Sequence, residues 1–263
     1  MTKCSSHHEP TVEFFDEQDR LALVSKEGDP LETLNKASDW EPFRGKLRRC
    51  FANEPNGPGG RPPFDYVMMF KVLILQRLYN LSDHQMQFQL LDRLSFQRFL
   101  GLGLHSLVPD EKTIWSFRET LTQRGIIEKL FEKFQEFLQQ KGLLANRGSI
   151  IDATFVEVPR QKNTPDENRQ IKAGEQPADW SEVKSEQKDT KARWSKKGEA
   201  SYFGYKDHVK ADKVGKLITS YEVTDAVVHD SRVLPKFLDE RDTHHDVFAD
   251  SAYEGQKVEQ ALR

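Results

Sequence analysis

The hydrophobic pattern of the chain changes period at Gly148, and that change constrains the fold more than any other feature. Before it, apolar residues recur at helical spacing: Ile127, Leu130, Phe131, Phe134 and Leu138 fall on one face of a segment that Gly142 ends. After it, the segment SIIDATFVEV (149–158) is short and rich in β-branched residues, the pattern of a strand. At 263 residues the chain is long enough for two cores, so the switch separates a helical part from an α/β part.

Residues 1–61 read as an irregular N-terminal segment and linker, with a short helix near PLETLNKASDW and a turn-rich stretch, NEPNGPGGRPP. Residues 62–145 read as an all-α domain. The pattern is helical from Phe64 to Leu81, Ser82 and Gln85 make a capping box for a second helix, and Asp110 N-caps a third. Residues 146–263 give strands in SIIDATFVEV, SYFGYKDHVKAD and KLITSYEVTDA, the last two joined by a turn at Lys213 to Gly215. A helix in SRVLPKFLDE, a strand in DVFAD and a helical start in GQKVEQALR follow. The polar stretch 159–199 is a long loop or partly helical insertion. Three strands and a helical crossover into a fourth can place the fourth beside the first and parallel to it. Asp152, in the first strand, and Asp250, at the end of the fourth, then converge despite their distance in sequence.

Lysine and arginine number 39 against 42 acidic residues, a net charge of -3, so nucleic-acid binding must rest on local patches. One such patch, 188–216, holds nine basic against four acidic residues, with Trp194, Tyr202, Phe203 and Tyr205 interleaved. Cys4 and Cys50 have neither metal-ligand spacing nor the density of a disulfide framework, which fits a reducing compartment. The apolar run YVMMFKVLILQRLYNL is broken by Lys71, Gln76 and Arg77 and is too short to span a bilayer. MTKCSSHHEP lacks the apolar run of a signal peptide. A cytoplasmic protein with no membrane partner is expected.

Six stretches carry a family resemblance: PPFDYVMMFKVLILQRLYNLSDHQMQFQLLDRLSFQRFLGL, VPDEKTIWSFRETL, IIDATFV, TKARWSKKGEASYFGYKDHVKAD, ITSYEVTDAVVHDS and VFADSAYEG. In this order, from about Pro62 to Gly255, they resemble the DDE transposases of bacterial insertion sequences, in the branch with an InsH-like N-terminal domain. The resemblance implies an α-helical, helix-turn-helix-like N-terminal domain that binds terminal inverted repeats. It also implies an α/β RNase H-like core with a mixed sheet, which hydrolyses DNA and transfers strands to target DNA. The partners implied are double-stranded DNA and further copies of the chain assembled on it, with nucleoid association when bound. The family's first acidic residue, in the DAT motif, falls on Asp152, and its second, in ADSAY, on Asp250. The third belongs to a downstream helix with an E-H-x-F type motif; the chain reaches Arg263 first, and neither Glu254 nor Glu259 lies in such a motif. The core is therefore expected to be incomplete at the C-terminus. The alternative is an inactive DNA-end-binding chain that inhibits an intact copy.

In-line phosphodiester cleavage needs an activated oxygen and charge neutralisation on both the entering and leaving oxygens, which two Mg²⁺ (or Mn²⁺) ions supply. These hard cations take carboxylate oxygens, so Asp152 is the expected bridging ligand and Asp250 a flanking one. Taken alone, Asp152 suits a strand edge or turn equally well, and Asp250 an N-cap. Candidate DNA contacts are Gln89, Arg93 and Arg98, with Gln85, Gln87 and Gln97, on the polar side of residues 64–99. Arg193, Lys196 and Lys197 are candidates in the basic stretch. His229 and Asp230 read as a strand-to-helix connection in which Asp230 or Ser231 caps the helix, and His244, His245 and Asp246 as a surface turn.

Overall fold

The computed structural model describes residues 16–51, 62–145, 147–238, 242, 245–250 and 253. The chain forms two compact units, Met1–Glu136 and Phe137–Arg263. The division falls within a helix, Ile127–Gln140, somewhat upstream of the change in pattern at Gly148.

The first unit is helical. Its elements are α1 (Asp16–Lys26), α2 (Pro30–Ala37), α3 (Glu41–Phe51), α4 (Tyr66–Leu78), α5 (Asp83–Asp92), α6 (Leu94–Leu100), α7 (Glu111–Gln123) and the start of α8 (Ile127–Gln140). Two of these, α1 and α3, correct the expectation of an irregular N-terminal segment, while α2 is the short helix expected in PLETLNKASDW. In α3, Phe43, Leu47, Cys50 and Phe51 recur at helical spacing and are buried. Phe51 then stacks on Tyr66 of α4 and Phe117 of α7, with ring centroids 4.8 and 5.0 Å apart. The predicted caps form: Ser82 and Gln85 make the capping box of α5, and Asp110 accepts from the Thr113 amide.

The second helix, expected through DHQMQFQLLDRL, ends at Asp92, and a further helix, α6, follows it. Arg93 is extended (φ -96°, ψ 112°) between α5 and α6. The buried Gln97 amide donates to the carbonyls of Leu90 and Leu91, satisfying the end of α5. Lys71, which interrupts the apolar run of α4, is buried too. Its ammonium donates to Asn35 at 3.0 Å and lies 4.5 Å from the centre of the Phe99 ring. Burial pushes its pKa down.

The second unit is built on a five-stranded mixed sheet: β1 (Ser149–Glu157), β2 (Arg193–Lys197), β3 (Ala200–Asp212), β4 (Ile218–Asp225) and β5 (Val247–Ala249). Central β3 runs antiparallel to β1, β2 and β4, while β5 pairs with the other edge of β1 in parallel. The three expected strands and the parallel fourth are present, and β2 is an addition from within the polar stretch. Asp212 makes the turn after β3 by accepting the amides of Val214 and Gly215. The expected helix in SRVLPKFLDE is short: a 3-10 turn at Asp230–Arg232 and then α11 (Leu234–Phe237). The helical start expected in GQKVEQALR lies outside the described residues.

The register of β1 against β3 sorts the side chains onto two faces. Ile151, Ala153 and Phe155 share one with Lys210, His208 and Lys206, while Asp152 and Thr154 share the other with Val209 and Asp207. The first face carries a core in which Ile151 packs with Val233, Leu234, Phe237 and Tyr253. Two glycines permit this sheet. A Cβ on Gly204 of β3 would stand 2.1 Å from the Val156 carbonyl oxygen of β1. Gly148 has φ +112°, and a Cβ there would meet the Asp246 carbonyl oxygen at 2.8 Å, blocking the approach of β5 to β1.

The stretch between β1 and β2 folds around Trp180. Thr164 and Glu167 form a capping box for α9 (Pro165–Lys172), and α10 (Glu182–Glu186) follows. Glu167 accepts from the Trp180 indole at 2.6 Å and from Lys184 at 2.7 Å. These bonds, led by Lys184, hold its pKa at about 2.

Candidate active site

Parallel pairing of β1 with β5 aligns Ile151 with Ala249. The next residue in each case is an aspartate: Asp152, the fourth residue of β1, and Asp250, which directly follows β5. Both are exposed. One oxygen of Asp152 accepts its neighbour Ala153's amide at 2.7 Å. After Asp250 the chain turns, and the Tyr253 amide donates to the Asp250 carbonyl at 2.9 Å.

Behind Asp152, on the core face, lies a network that the sequence reading passed over. Lys206 donates to Asp230 at 2.8 Å and to the Val228 carbonyl at 3.0 Å. His208, fully buried, shares a hydrogen bond with Thr224 at 3.1 Å, and its other nitrogen is 4.0 Å from Asp230. Burial holds the His208 pKa below its ordinary value, against the opposing charge of Asp230. Asp230 therefore serves as the partner of Lys206. The capping role expected of it or Ser231 falls to His229, whose ring accepts the Ser231 amide. The only sequence clue to this arrangement is the alternation of Lys206, His208 and Lys210 along β3, which puts three titratable groups on one face.

The predicted DNA contacts divide. Arg98 is committed to the fold: its guanidinium donates to Asp29, the Ser25 hydroxyl and the Leu21 carbonyl, and the Asp29 side chain is only 4% exposed. Arg193 donates to the carbonyls of Thr190, Ala192 and Ile171, tying β2 to α9. Gln97 is buried, and Gln87 accepts the Glu111 amide. Gln89 is half-buried with its amide oxygen enclosed. Arg93 is exposed, lying over the rings of Tyr79 and Phe96. Lys196 and Lys197 are exposed on β2 beside Trp194, over which the Arg160 guanidinium lies at 5.2 Å. Phe203 is buried, while Tyr202 is half-buried and stacks on Phe155. His245 and Asp246 are exposed, and His244, Glu254 and Glu259 lie outside the described residues.

Carboxylates such as those of Asp152 and Asp250 are hard donors of the kind a magnesium-type ion takes, and such an ion keeps several of its waters and needs only one or two protein carboxylates when phosphate supplies the rest. In the core beneath β1, the buried Tyr253 hydroxyl has no hydrogen-bond partner. Among the described residues no three His, Cys, Asp or Glu side chains are gathered to hold an ion. The donor set thus fits a hydrated ion shared with a phosphate and does not form a protein cage.

Two family models match the chain, one for each unit: Transposase domain (DUF772) over residues 18–120 and Transposase DDE domain over residues 144–263. Both describe transposases, the first model lying in the helical unit and the second in the sheet unit. The chain belongs to the DDE transposases of insertion sequences. No solved structure matches it. Among the described residues no helix is long and apolar enough to cross a membrane.

Proposed function

We propose that the chain binds the terminal inverted repeats of its insertion sequence and cuts and joins DNA strands at a divalent-metal site formed by Asp152 and Asp250 in an RNase H-like core. The observation that supports this reading is the parallel register of β1 and β5, in which Ile151, just before Asp152, pairs with Ala249, just before Asp250. Asp152 and Asp250 would hold the ion, which when bound supplies Lewis acidity toward the scissile phosphate and neutralises charge on the attacking and leaving oxygens. The Ala153 amide limits how Asp152 can turn, since one carboxylate oxygen is already engaged. Lys196 and Lys197, with exposed ammonium groups on β2, are placed to follow the phosphate backbone, and Arg93 is the corresponding candidate on the helical unit.

The test is cleavage of a duplex carrying the element's end, in Mg²⁺ or Mn²⁺, by the purified chain and by Asp152→Asn and Asp250→Asn. Losing either ligand removes several kcal/mol of transition-state stabilisation, so cutting should fall roughly a hundredfold or more while end binding persists. Cleavage that survives both substitutions would reject the site. A second reading, an end-binding chain that does not cut, is favoured by the absence of a three-residue acidic cluster among the described residues. It predicts tight, salt-sensitive binding to the ends with no cleavage in either metal.

A further inference from the structure

A buried lysine stands on the core face of β3. The Lys210 side chain is 5% exposed, and its ammonium donates to the Phe237 carbonyl at 2.8 Å and to the Asp242 carboxylate at 2.6 Å. The other oxygen of Asp242, itself buried, accepts the Ser149 hydroxyl of β1 at 3.0 Å. Ser149 stands two residues before Ile151 and so shares the core face. One cation thus joins the middle of β3, the last carbonyl of α11 and the connection that leads into β5.

Filling the core does not require a charge here. A buried ion pair is often no more stabilising than apolar residues of the same volume, because desolvation offsets the attraction. Directional bonds add a fixed position instead, and the position fixed is telling. Ser149, which holds Asp242, is also the residue of β1 that pairs with Val247, the first residue of β5. Its backbone amide donates to the Asp246 carbonyl at 2.9 Å. The clamp therefore grips β1 where the pairing of β5 begins, and β5 adds only three residue pairs of its own.

Resting on the metal-site reading above, we propose that Lys210 is a positioning residue for Asp250. By holding Asp242 and the end of α11, it sets the register in which β5 docks on β1, and with it the place of the carboxylate that follows β5. Lys210 acts through the strand and touches neither cation nor DNA.

The experiment measures deuterium exchange and calorimetric Mn²⁺ titration on the full chain, on the double variant Lys210→Met with Asp242→Asn, and on Asp250→Asn. Removing Lys210 alone would strand a buried carboxylate and unsettle the fold, so both charges are removed together. In the double variant the amides of Val247, Phe248 and Ala249 should exchange about tenfold faster, while those of β3 from Tyr205 to Val209 keep their rates. The affinity for Mn²⁺ should fall about tenfold. A merely structural pair predicts a rise shared equally by β3 and β5, or none in β5, and either result would overturn the proposal. The Asp250→Asn arm separates the two readings. If it loses Mn²⁺ affinity and the double variant does not, only the assignment of Lys210 fails; if it binds Mn²⁺ as well as the unaltered chain, the aspartate site fails and the role of Lys210 in it.

Discussion

Single charged side chains decide much of this molecule, and their roles follow from partners far away in sequence. Arg98 illustrates the point. Read along α6, it is an exposed basic residue suited to DNA; in the fold it neutralises Asp29, 69 residues earlier. Arg98→Ala should destabilise the helical unit by about 2–3 kcal/mol, because it strands a buried carboxylate. Arg93→Ala, which removes an exposed cation from two rings, should cost less than about 1 kcal/mol. Urea melts check the pair, and a loss of DNA binding by Arg98→Ala without a loss of stability would restore the contact role. His208 gives a pH prediction. Its folded pKa lies below the ordinary 6.5, so the unfolded chain takes up the proton first on acidification. Its contribution to stability is thus fully present above pH 6.5 and is lost as the pH falls toward the folded pKa. Melts from pH 7.5 to 5 should show this slope in the unaltered chain and a shallower one in His208→Gln. Neither Arg98 nor Asp230 could be placed from sequence, since an ion pair leaves no periodic trace.

Elements were more legible than their contents. The strands β1, β3, β4 and β5 follow from β-branched runs bounded by turns, and the parallel placement of β5 from the crossover rule. The pairing of Ile151 with Ala249, each followed by an aspartate, was readable for that reason. By contrast, α3 was overlooked although its apolar stripe is regular, because Gly45 and the charges between the apolar positions mask it. The fold of the stretch between β1 and β2 was hidden for a different reason: its core depends on a single aromatic, Trp180, which no periodicity announces. Trp180→Ala should therefore open this stretch locally. Protease cleavage within 159–192 should rise sharply while the amides of β1 and β3 stay protected, and global unfolding would contradict this. Glu167 should make the same region acid-sensitive. Its support is present above about pH 4.5 and is lost as the pH falls through about 2, where the carboxylate takes up its proton.

At the scale of the whole molecule, the chain divides into a helical unit and a sheet unit, and one transposase family model falls in each. The two aspartates of the sheet unit do not share equally secure foundations. Asp152 stands on a strand joined to β3 by nine residue pairs, whereas Asp250 follows a strand joined to β1 by three. Opening free energies within a protein span a wide range, and so short a pairing belongs near the low end. The amides of Val247, Phe248 and Ala249 should exchange with solvent deuterium well before those of Ile151 and Ala153, a comparison that mass spectrometry or NMR can make. Anything that binds only the docked form raises the opening cost by RT ln(1 + [L]/Kd), about 2.7 kcal/mol at a hundred times Kd, so Mn²⁺ with DNA should slow that exchange about a hundredfold. Equal exchange with and without ligand would show that β5 is not where the site gives way. The lifetime of the assembled carboxylate pair is then governed by the docking of one short strand, and the same ligands that need the pair are what keep it closed.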